Sequence, residues 1–121
     1  MKLTVMLPVR APSTPNLREH WAGRAGRAKE QRGVARMMVG SRFHTRDGLS
    51  FPMVVTLTRL SPRTLDGDNL QGALKAVRDG VADALGVDDR ASCVTWRYAQ
   101  EKAPAKKCGV RVELERDAPL D

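Results

Sequence analysis

Two short acidic motifs carry the residue types most suited to chemistry. Asp66 and Asp68 flank Gly67 and precede Asn69, and Asp88-Asp89 follow Gly86-Val87. Carboxylates are hard oxygen donors, and Mg²⁺ or Mn²⁺ is commonly held by a few of them together with water and substrate phosphate. A metal site built from Asp66, Asp68 and one of Asp88 or Asp89 would support phosphodiester hydrolysis, because the ion polarises a phosphoryl oxygen and lowers the pKa of a bound water. A neighbouring lysine could neutralise the pentacovalent phosphate or protonate the leaving oxygen. Lys75 is the only lysine between the two motifs. Simpler roles compete: Asp68 or Asn69 as a helix cap, and Val-Asp-Asp-Arg as a polar turn. If the backbone is extended from Asp66 to Asp68, both side chains project to one side, and Gly67 lets a phosphate approach closely.

The element between the motifs must position them. Leu70, Ala73, Leu74, Val77, Val81, Ala84 and Leu85 recur at three- and four-residue spacing, which predicts an amphipathic helix from Asp68 that stops at Gly86. Asp66 and Asp68 then sit at its start, where the helix dipole favours negative charge. Gly72 and Gly80 are costly in its interior, and close helix–sheet packing is the expected compensation. Lys75 lies about 140° from Leu70 at 3.6 residues per turn, off the apolar stripe. Bringing Asp88 and Asp89 back to Asp66 and Asp68 requires the helix axis to lie across the sheet. Phe51 to Leu60 precedes the acidic motif, is rich in β-branched residues and reads as a central strand ended by Ser61-Pro62.

The remaining chain supplies a frame. Lys2 to Leu7 reads as a strand, and the three prolines between Pro8 and Pro15 as a loop. From Asn16, a possible cap, to Val39 the composition favours a helix that shows no clean apolar stripe. Ser92 to Glu101 and Cys108 to Glu115 alternate and predict two strands paired as an antiparallel hairpin. The order β-α-β-α-β-β describes an α+β fold, a single domain over residues 1–116 with a mixed sheet of about four strands and two helices, followed by a flexible tail at 117–121.

Charge narrows the partner. The 121 residues carry 21 Lys and Arg against 14 Asp and Glu, a formal charge of +7, which favours a polyanion such as nucleic acid or an anionic lipid surface. Eight basic residues between Arg18 and Arg46 face only Glu19, Glu30 and the adjoining Asp47, an imbalance that favours a phosphate-contacting helix over an ordinary solvated one. The residues best placed for DNA are Arg24, Arg27, Lys29, Arg32 and Arg36, with Arg63 beside the acidic pair. With aromatics at 4% of residues, base stacking is a poor candidate for the main binding mode. His20 and His44 read as surface or packing residues. Cys93 and Cys108 fit no zinc spacing and read as reduced thiols of a cytoplasmic protein. No apolar run reaches the roughly 20 residues of a membrane span, and the start lacks a signal-peptide pattern.

The string DGDNLQGALKAVRDGVADALGVDDR, residues 66–90, resembles the RusA family of Holliday junction resolvases, which show D-x-D-N-L-x-K, a helix, and D-D before a strand. The N-terminal strand, Pro/Ser/Asn loop and basic helix agree more loosely. The resemblance implies a homodimer that binds four-way DNA junctions and cuts them symmetrically with Mg²⁺ or Mn²⁺, using Asp66, Asp68 and Asp89 with Asp88 beside them. One position departs from the pattern. The family lysine aligns with Gly72, and Lys75 comes one turn later.

Overall fold

The computed structural model describes residues 2–11, 21–43, 51–88 and 90–116. Four strands and two long helices follow one another as β1 (Lys2–Leu7), α1 (Trp21–Phe43), β2 (Met53–Ser61), α2 (Gly67–Leu85), β3 (Val94–Lys102) and β4 (Gly109–Arg116), with a short 3-10 turn at Ala105–Lys107. This is the expected α+β order on a mixed four-stranded sheet. Asn16, His20, His44 and the segment 117–121 lie outside the described residues.

The spatial order of the sheet is β1-β4-β2-β3. β4 runs antiparallel to both β1 and β2, whereas β2 and β3 are parallel. The expected β3–β4 hairpin is therefore not formed, and β2 lies between the two strands. Composition explains the exchange. Val110, Val112 and Leu114 are fully buried and suit a central strand, while β3 carries Thr95, Arg97, Glu101 and Lys102 and tolerates an edge. Residues 103–108 form a connection long enough to step past one intervening strand, about 10 Å at the usual strand spacing.

Both helices serve one face of the sheet. Leu3, Val5 and Leu7 of β1, Met53, Val55 and Leu57 of β2, and the three apolar residues of β4 meet Leu74, Val77 and Val81 of α2 in a single core. Each of those α2 side chains is fully buried, a contribution of about 1.5–3 kcal/mol apiece. The other face carries ion pairs: Lys2 pairs with Glu113 at 2.7 Å, and Arg111 bridges Glu101 and Glu113.

α1 does have a buried stripe, but a narrow one. Gln31, Ala35 and Val39, spaced by four, are buried, with Val34, Met38 and Phe43 partly so. Small side chains are required because α1 presses on α2. A Cβ on Gly80 would sit 2.3 Å from the Arg32 carbonyl oxygen and 2.7 Å from the Ala35 Cβ. Gly80 thus answers to helix–helix packing rather than to the sheet. Gly72 has nothing within 4 Å of a built Cβ, so no packing reason compensates it. Gly86 ends α2 in the left-handed region at φ 73°, and the chain closes with Val87 N–H donating to the Ala82 carbonyl at 3.1 Å.

Candidate functional site

Asp66 is the N-cap of α2. Its backbone is extended and its carbonyl accepts the first helical bond from Leu70 N–H at 2.7 Å, yet its carboxylate makes no capping hydrogen bond. Gly67 and Asp68 are already helical, so the extended Asp66–Asp68 arrangement is not formed. Both aspartates are exposed, and capping leaves the Asp66 carboxylate unused. Two full negative charges here outweigh the roughly +0.5 charge of a helix N-terminus. Carboxylates are oxygen donors of the kind a hard ion takes.

Two residues, Gln100 and Arg59, hold this turn in place. Gln100 of β3 pairs with the Leu65 peptide in both directions: Leu65 N–H donates to Oε1 at 2.8 Å, and Nε2 donates to the Leu65 carbonyl at 2.7 Å. The amide acts as an added strand rung directly before Asp66. Arg59 of β2 is buried, and its Nε and Nη1 donate to the carbonyls of Ala11 at 2.6 Å and Arg63 at 2.7 Å. Burial pulls its pKa below the ordinary guanidinium value. The alternation of β2 would place a basic residue on the core face at 59, a misfit that could have flagged it.

Asp88, the described half of the second acidic motif, lies elsewhere. Asp88 follows the C-terminus of α2, and a 19-residue helix rises about 28 Å. Within one chain, Asp88 is therefore held apart from Asp66 and Asp68. Asp88 instead closes a polar turn, its Oδ1 accepting from Arg90 N–H at 2.9 Å. Asp89 lies outside the described residues. Among the described residues, no group of three or more His, Cys, Asp or Glu is gathered as a metal site.

Lys75 is exposed and forms an i,i+4 pair with Asp79 at 3.3 Å. An exposed pair of this kind is worth a few tenths of a kcal/mol. Of the DNA-facing candidates, Lys29, Arg36 and Arg63 are exposed and Arg27 is half-buried. The Arg24 side chain is outside the described set. Arg32 is committed to the interface: Nε and Nη2 reach the two oxygens of Asp83 at 2.7 and 3.0 Å. That bidentate bond holds the Asp83 carboxyl below its usual range.

No family model matches the chain. A protein of Xylella fastidiosa described only as an uncharacterized protein is 41% identical over 86 residues, covering 64% of this chain and 53% of the relative. The chain thus spans about half the length of that relative. Among the described residues, no helix is long and apolar enough to cross a membrane.

Proposed function

We propose that this chain is a Mg²⁺- or Mn²⁺-dependent, structure-selective endodeoxyribonuclease that resolves four-way DNA junctions in recombination or repair. The observation that carries the reading is the Asp66–Asp68 pair, two exposed carboxylates at the start of α2 just after the backbone that Gln100 and Arg59 clamp at Leu65 and Arg63. The overall charge of +7 supports a polyanionic partner. Asp66 and Asp68 would hold the ion. When bound, it supplies a polarised phosphoryl oxygen and an activated water. The chain's own part is to fix the carboxylates and to neutralise the flanking phosphates. Free Cys93 and Cys108 fit a cytoplasmic protein.

A homodimer would reconcile the separation of Asp88 from Asp66 with one shared acidic site. A two-fold axis across α2 would lay the Asp88-Asp89 motif of one copy beside Asp66 and Asp68 of the other, completing the acidic set in both sites at once. One site per subunit also suits paired cuts on two strands. The Lys75–Asp79 pair and the glycine at position 72 favour a second reading, a branched-DNA-binding protein of phage or mobile-element origin with weak or no cleavage. The deciding assay is cleavage of a labelled four-way junction in Mg²⁺ and Mn²⁺ by wild type and Asp68→Asn. Cutting that the substitution abolishes while junction binding is retained supports the nuclease. Binding without cutting by wild type in either metal leaves the second reading.

A further inference from the structure

A groove of about 360 Å³ runs between α2 and the edge strand β3, lined by Gln71, Gly72, Lys75, Arg78, Arg90 and Tyr98. Three of the six residues are cations and none is acidic. Gln71, Lys75 and Arg78 follow i, i+4, i+7 spacing and form one stripe of α2. Asp68 is one turn upstream of Gly72, so the stripe leads on from the acidic turn.

Arg78 is set in place before any ligand arrives. Its guanidinium stacks 4.8 Å from the centre of the Trp96 ring, and Nη1 donates to Tyr98 Oη at 2.7 Å. A stacked, hydrogen-bonded guanidinium loses less side-chain entropy on meeting a phosphate than a free one does. Lys75 and Arg90 are exposed and adjustable. The weak Lys75–Asp79 pair yields easily to a phosphate oxygen. Gly72 leaves the floor open, with no Cβ to obstruct a strand.

We propose that this groove is a phosphate-binding track for a nucleic-acid strand, taking backbone phosphates next to the one at Asp66 and Asp68. The inference rests on the nuclease reading for its choice of nucleic acid, but the binding itself needs no metal. Arg78 is the fixed anchor, Lys75 and Arg90 close over the strand, and Tyr98 and Gln71 supply neutral hydrogen bonds. Trp96, stacked under the anchor, is a built-in reporter.

The test measures binding in EDTA, with no metal present. The double variant Lys75→Gln/Arg90→Gln is compared with Lys106→Gln/Lys107→Gln, which removes the same charge from the exposed 3-10 turn. Binding of a four-way junction and of a single-stranded 12-mer is followed against salt. The groove variant is expected to weaken both by about 10–100-fold and to lower the salt slope by about two, with the control near wild type. On a Trp21→Phe background, inorganic pyrophosphate is expected to shift the Trp96 emission in wild type and not in the groove variant. Equal losses in the two double variants would overturn the track in favour of net charge alone, as would unchanged Trp96 emission at saturating pyrophosphate. Loss of the salt-slope difference while Mg²⁺-dependent cutting persists defeats the track alone. A track that binds as expected in a protein that never cuts defeats the nuclease alone.

Discussion

Replacing Gly80 by Ala tests the packing that carries the whole arrangement, and Gly72→Ala on the same helix is its internal control. On propensity alone each substitution gains about 1 kcal/mol. At Gly72 nothing opposes that gain, since a Cβ meets no atom within 4 Å. At Gly80 the new methyl would lie 2.3 Å from the Arg32 carbonyl oxygen, and α1 must retreat until the gap passes 3.0 Å. The obstacle is helical backbone, so no rotamer change relieves it. Moving α1 disturbs Ala35, Val39 and the Arg32–Asp83 bond together. Overpacking of this kind costs up to about 3 kcal/mol, which leaves a net loss of about 2 kcal/mol after the propensity gain. The two variants should therefore differ by about 3 kcal/mol, or about 12 °C in Tm for a domain of this size. Thermal melts followed by circular dichroism, with urea midpoints as a second measure, read the difference directly. If Gly80→Ala melts above wild type as Gly72→Ala should, α1 does not press on α2 at this point and the helix pairing described above is wrong.

Three further outcomes are expected. Gln100→Ala removes the two-way clamp on Leu65 and should cost about 1–2 kcal/mol while reducing metal-dependent cleavage more than metal-free DNA binding. Equal cleavage by the variant would show that the Asp66 turn needs no such support. Mixing Asp68→Asn with Asp89→Asn chains should restore about a quarter of the wild-type sites if each site draws on both subunits of a two-fold dimer; a fully dead mixture would place all the acids of a site on one chain. The Asp83 carboxyl is held below its usual range by Arg32, so its stabilising effect is complete above the unfolded carboxylate pKa and is lost as pH falls through the lower folded value. Urea midpoints of wild type should drop through that acidic window more steeply than those of Asp83→Asn, and parallel curves would remove Asp83 as the cause.

Much of the fold was legible in the chain because it depends on local periodicity. The stripe from Leu70 to Leu85 and the stop at Gly86 mark α2 to within a residue, and the alternation of β4 separates its buried residues from its polar ones. Pairing was not legible, because a strand's alternation says which face is buried and not which neighbour it bonds. β3 and β4 are consecutive and both alternate, yet the more apolar β4 takes the centre of the sheet. The α1 stripe was hidden for a related reason. Ala35 and Gln31 are neither bulky nor uniformly apolar, and they are buried only because Gly80 on another element makes room.

The same division applies to the candidate site. The sequence by itself determined its chemical character: hard oxygen donors at Asp66, Asp68, Asp88 and Asp89, a helix between them and a basic surround, since residue type and spacing are local properties. Their separation follows from helix length as well, whereas only the tertiary structure decided what holds the acidic turn in place. A straight helix of 19 residues keeps its two ends about 28 Å apart, so Asp88 is held away from Asp66 however the rest of the chain folds. The Gln100 clamp on Leu65, the Arg59–Ala11 bond and the Arg78–Trp96 stack are long-range contacts between a strand and a loop or a helix, and no spacing along the chain encodes them.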